Sequence, residues 1–190
     1  MTHYNSDHLI TATQNWLEQV IIGHNFCPFA VREFKRNSIR YLVNTDKKIA
    51  AMLETLVLEC KYLDTHPQTE TTLVIFSTGV SQFERFLDLL DLANALLIKQ
   101  GYEGIYQLAS FHPDYCFADA DLDDPANYTN RSPYPTLHLI REASLERVLE
   151  KVAAPAAIPE RNISHARELG LNAMQLMLKN CYSHDDDNNE

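Results

Sequence analysis

Residues 108–142, LASFHPDYCFADADLDDPANYTNRSPYPTLHLIRE, gather His112, Asp114, Cys116, four further aspartates, Asn130, Arg131, Ser132, Tyr134 and His138 into 35 positions. The same stretch holds Pro113, Pro125, Pro133 and Pro135, half of the chain's eight prolines. Imidazole and carboxylate groups move protons, a thiol attacks, and a guanidinium fork grips an anion. Prolines fix the backbone direction between such groups. The segment is predicted to be a rigid site loop.

A second reactive corner is His24-Asn25-Phe26-Cys27-Pro28-Phe29-Ala30, followed by Arg32, Lys35 and Arg36. Nearby cations favour a thiolate, so Cys27 is the candidate nucleophile. With His112 as acid/base and Asp114 or Asn130 as orienter, the two segments would form a Cys-His arrangement around a shared hollow. The competing reading makes Cys27 a small buried hydrophobe. Anion binding is expected from Ser77-Thr78-Gly79, a turn ahead of a helix whose free N–H groups face outward, and from Arg131 with Asn130, Ser132 and Tyr134. Against it stands a structural ion pair between Arg131 and a loop aspartate.

Metal ligation has two weak patterns. His24-x2-Cys27 and His112-x3-Cys116 are ligand-like pairs without a strong finger spacing, and His112 with Asp114 and a further loop residue is a looser alternative. Asp119, Asp121 and Asp123 open like a calcium loop, but Asp124 replaces the turn glycine, Pro125 follows, and Asn130 stands at the bidentate position. A solvated acidic loop is the better reading. His138 lies mid-strand and reads as a packing histidine, while Tyr128 and Tyr134 read as lids or packing, since a phenol titrates near 10.

Several elements must position these groups. Leu9, Thr13, Trp16, Leu17, Val20 and Ile21 recur at helical spacing from a Ser6 cap to a left-handed stop at Gly23. Residues 39–43 suit a short strand. Thr45 would cap a helix with the stripe Ile49, Met52, Leu53, Leu56, Val57, Cys60 and Leu63. Residues 71–76 are β-rich, and Ser81-Gln82-Phe83-Glu84 reads as a capping box for a helix ending near Gly101. Strands are expected at 105–111 and 136–141, the latter setting Leu137 and Leu139 against His138 and Ile140. A short helix through Val152, a stiff connector at 153–159 and one last helix to about Asn180 complete the chain.

The resulting expectation is a single α/β domain over residues 1–182 and a disordered acidic tail at 183–190. Two strand-helix-strand units predict a mixed, mostly parallel four-stranded sheet with helices packed on it, the long site loop running between strands 3 and 4. The ends of the first three strands, at Asn44, Ser77 and His112, should open on one edge, where sites in such sheets collect.

Composition narrows the function. A formal charge of −10, with no basic stripe, excludes a general nucleic-acid binder. No apolar run reaches the length of a membrane span, no basic-then-apolar leader is visible, and four scattered cysteines suit reduced thiols, so a cytoplasmic setting is expected.

The runs Asn25-Phe26-Cys27-Pro28-Phe29-Ala30, Ser110-Phe111-His112-Pro113-Asp114-Tyr115 and residues 124–135 with 137–142 behind them carry a resemblance. On them the chain resembles the bacterial family catalogued as domain of unknown function 1415, across nearly its whole length. The resemblance implies no particular reaction or cofactor. The family pattern has an aliphatic residue where this chain has His24 and commonly Gln where it has Cys116, which argues against schemes resting on those two. The reading reached is a small enzyme acting on an anionic small molecule through a Cys/His/Arg site. The alternatives are a non-catalytic ligand- or protein-binding module and a metal-dependent protein using His112.

Overall fold

The structure is a computed structural model describing residues 6–152 and 154–182. The expected acidic tail at 183–190 lies outside the described residues. Four six-residue strands form one sheet: β1 (Ile39–Asn44), β2 (Thr71–Phe76), β3 (Tyr106–Phe111) and β4 (Thr136–Arg141). Their order is β1-β2-β4-β3, with β1 parallel to β2 and β4 antiparallel to both of its neighbours.

The sheet is therefore mixed, not mostly parallel. β1, β2 and β3 do run in one direction, but β3 is set one place away from β2, as in a split β-α-β unit. The long loop then reverses the chain, and β4 enters the vacant slot. There it pairs with β2 on one side and β3 on the other, so its backbone groups are satisfied along both edges.

The two crossover helices are α3 (Ile49–Thr65) and α4 (Phe83–Lys99). Both crossovers step the same way along the sheet, so a common handedness puts both helices on the same face. That face is sealed. Met52, Leu56, Leu63, Phe86, Leu89 and Leu97 pack on Val74, Phe76, Leu137 and Leu139. Neither helix uses its expected cap: Lys48 and Gln82 stand at the N-cap positions without a side-chain hydrogen bond, so the Thr45 cap and the Ser81–Glu84 box do not form.

The opposite face is covered by the two ends of the chain. From the N-terminus come α1 (Ser6–Asn15), a π-helical segment (Trp16–Ile22) and α2 (Ala30–Lys35). From the C-terminus come α5 (Glu142–Leu149), α6 (Ile158–Leu169) and α7 (Leu171–Asn180). The single last helix expected from the sequence is two, because Gly170 at φ 82° breaks the run. Gly23 also departs from expectation: its φ is −58°, and it closes the π-helical turn by donating to Glu18 O at 2.9 Å. A Cβ there would lie 2.3 Å from the carbonyl oxygen of Gln19, so the residue is needed for backbone closeness, not for a left-handed turn.

Candidate functional site

Strand parity decides which side chains face the terminal helices. Tyr41, Leu73, His138 and Ala109 stand in register across the four strands, and Ile39, Thr71 and Ile140 in the next row. Between these rows and the covering segments lies a cavity of about 500 Å³. Trp16, Leu17 and Ile21 of the π-helical turn, Phe26 and Phe29, Phe111 and Phe117, and Leu145, Val148 and Ile163 supply apolar walls. Exposed Arg32 and Pro159 lie at its rim. A π-helical turn beside a cavity is a common functional association.

Three tethers hold the roof in place. The indole N–H of Trp16 donates to Arg131 O at 2.9 Å, joining the N-terminal helix to the long loop. Arg161 and Asn162 of α6 donate to the carbonyls of Asn25 and Phe26, the latter at 2.7 Å. Arg167 of α6 grips both oxygens of Asp124 at 2.7 and 3.1 Å, which holds the Asp124 carboxyl below the usual range. His24 and His165 face each other at 3.3 Å beside Phe26 at the same joint.

Few polar groups reach the cavity, and their hydrogen bonds can be accounted for atom by atom. Thr71 Oγ1 contacts both Leu139 O and His138 Nε2, the latter at 2.6 Å. A carbonyl only accepts, so the single hydroxyl proton goes to Leu139 O, and the imidazole must donate its Nε2–H to Thr71. His138 is thus the neutral Nε2–H tautomer, its Nδ1 carrying a lone pair. Burial pushes its pKa down to about 4, which agrees with the neutral form. Glu70 lines the same cavity, and its Oε1 is buried without a hydrogen-bond partner among the described residues.

Cys27 also lines the cavity. Burial raises its pKa, outweighing the backbone N–H groups of Phe29 and Ala30 that favour the thiolate. The expected cations do not act on it: Arg32 and Arg36 are more than half exposed and turn to Glu33.

The expected Cys27–His112 pair is not assembled. Phe111 faces the cavity, so the next residue turns through the sheet, and His112 packs against Phe83 and Phe86 of α4 on the sealed face. Its Nε2–H donates to Val80 O at 3.2 Å and its Nδ1 accepts from Asp114 N at 3.0 Å. Both nitrogens are spent, burial lowers its pKa, and Asp114 is exposed beside it. His112 anchors the start of the loop, and no free lone pair remains for a metal. Among the described residues no three His, Cys, Asp or Glu side chains gather as metal ligands.

The expected anion cradle is likewise structural in most parts. Arg131 donates to Tyr115 O and Leu122 O at 3.0 Å each and lies over the Tyr128 ring at 4.5 Å, so it clips the loop to itself and pairs with no aspartate among the described residues. Ser132 is fully buried and donates to Tyr134 O. Asn130 bridges Ser110 O and the Thr129 hydroxyl, and it alone of this group reaches the cavity. Ser77, Thr78 and Tyr134 line a separate hollow of about 170 Å³ on the expected edge, with Pro113 and Pro133. Gly79 sits at φ +86° against Met52 and Lys47, closing the β2–α4 turn.

The groups that sequence reasoning undervalued are Thr71 and His138. Each is a polar residue on the face opposite Leu137 and Leu139, and that parity was the available signal. Neither a curated protein nor a solved structure matches the chain. A family model does match, over residues 8–176 of 190, and the chain belongs to the family described as protein of unknown function (DUF1415).

Proposed function

We propose that this protein binds a small, largely apolar molecule in the cavity between the sheet and its terminal helices. One observation carries the reading: an aromatic- and aliphatic-walled hollow of about 500 Å³ in which strand residues that would otherwise be sealed core, Ala109, Phe111 and Ile140, remain partly accessible. Ligand cavities of small molecules fall in the range of about 300–1,000 Å³ and show this mix of apolar walls and sparse polar groups. At about 30 Å³ for each water-sized group, the space suits on the order of 15 non-hydrogen atoms.

This reading displaces an anion held by Arg131, because that guanidinium is already committed to carbonyls. Binding without catalysis is favoured over an enzyme, since the thiol of Cys27 is held protonated and has no imidazole base from His112. Chemistry at Cys27 is the second reading, favoured by the thiol lining the same cavity as His138. No helix among the described residues is long and apolar enough to cross a membrane, and four free cysteines fit a reducing compartment such as the cytoplasm.

The test is titration with a neutral polarity-sensitive dye such as Nile red. Saturable uptake with blue-shifted emission is expected, and Ala109→Trp, which fills the cavity from β3, should abolish it. Absence of saturable uptake, or equal uptake by the filled variant, would refute the proposal.

A further inference from the structure

The polar chemistry of the cavity specifies its ligand further. Resting on the cavity-binding reading above, we infer that the ligand presents a hydrogen-bond donor, an alcohol or amine group on an apolar body, to the lone pair of His138 Nδ1. The donor that touches His138 and several others lining the cavity are already engaged. The Thr71 hydroxyl goes to Leu139 O, Asn162 to Phe26 O, Asn130 to Ser110 O, and Arg141 to Leu63 O and Thr69 O. Beside His138, what remains unfilled is acceptor capacity. Among the described residues His138 Nδ1 has no partner, and the tautomer fixed by Thr71 leaves it without a proton. Glu70, with its unpartnered buried oxygen, adds a second acceptor in the same cavity.

Complementarity then separates ligand classes. A carboxylate placed at His138 would set another acceptor against a lone pair and beside Glu70. An ether of the same length would fill the walls but leave Nδ1 unpaired. A hydroxyl or ammonium would satisfy it. A buried acceptor left unpaired is costly, so the donor should be selected and not merely tolerated.

Displacement of Nile red by four compounds of matched length tests this: dodecanol, dodecylamine, dodecyl methyl ether and dodecanoate. Dodecanol is expected to displace the dye at about tenfold lower concentration than the ether, the ratio one net hydrogen bond supplies. Dodecanoate should be weakest. Tightest binding by dodecylamine would identify an ammonium source, with Glu70 as its partner, and tightest binding by dodecanol a neutral hydroxyl. Either result supports the inference.

Two substitutions localise the effect. His138→Leu should erase the preference for dodecanol over its ether while the ether still binds. His138→Gln should retain it, because the amide can donate to Thr71 and turn its carbonyl to the cavity. Should His138→Leu fail to fold, the wild-type series and His138→Gln decide alone. Equal affinity for dodecanol and ether, or a preference for dodecanoate, overturns the inference while leaving cavity binding intact. If the dye itself never binds, the cavity reading falls first.

Discussion

Replacing His138 by Gln should remove a specific part of the protein's acid sensitivity. The folded protein holds this imidazole at a pKa of about 4, against an ordinary value near 6.5, because charging it would strand a cation among Leu73, Ile140 and the aromatic walls. Below pH 6.5 the unfolded chain takes up the proton and the folded chain does not. Stability is therefore fully present above 6.5, declines as pH falls, and stops declining from this source once pH passes about 4. At about 1.4 kcal/mol for each pH unit, the gap amounts to about 3 kcal/mol. His138 is only partly exposed, so solvent screening leaves most of this gap in place. Urea unfolding of wild type and His138→Gln at several pH values between about 7.5 and about 4 measures the effect. His24 and His112 also have lowered pKa values, but they act equally in both proteins and cancel in the difference. The difference between the two curves should grow by about 3 kcal/mol on acidification. Parallel curves would refute the neutral, cavity-facing histidine.

Other perturbations follow from the same geometry. Ala109→Leu should keep or raise stability, by up to about 2 kcal/mol at roughly 0.8 kcal/mol for each buried methylene, while weakening dye uptake; urea midpoints and fluorescence read both. Gly79→Ala should destabilise by about 1–3 kcal/mol, because a Cβ at φ +86° would lie 2.5 Å from Met52 Cε and 3.0 Å from Lys47 Cα. Arg131→Met should cost about 2 kcal/mol through the lost bonds to Tyr115 O and Leu122 O, leaving dodecanol affinity within about twofold by calorimetry. Cys27 should alkylate with iodoacetamide more slowly than an unhindered thiol at neutral pH, since burial raises its pKa; a rate above that of the free thiol would restore the catalytic reading.

The strands were legible because each is a short β-rich run bounded by turns, and the alternation of Leu137 and Leu139 with His138 named the two sides of β4 correctly. Their order was not. Nothing in residues 136–141 says whether that strand adds at an edge or enters between β2 and β3, because both placements bury the same leucines. The family likeness on residues 25–30, 110–115 and 124–142 held over almost the whole chain. The Cys27–His112 pairing failed on a parity of one residue: Phe111 faces the cavity, so His112 cannot. Carrying the alternation one position past β3 would have separated them. The cavity itself left no trace, since Ala109, Phe111 and Ile140 read like any core residues, and only the covering geometry of the π-helical turn and α6 leaves them uncovered. The proline-rich loop was read as a rigid site loop, yet its reactive side chains are mostly consumed in bonding the loop to itself, as Arg131 and Ser132 show.

A crystal structure of the protein grown with dodecanol tests the central claim most directly. The account predicts continuous density along the cavity bounded by Trp16, Phe111 and Val148, with the hydroxyl within hydrogen-bond reach of His138 Nδ1 and Thr71 bonded to Nε2. A cavity closed by its own side chains, or dodecanol bound only in the hollow of Ser77, Thr78 and Tyr134, would contradict it.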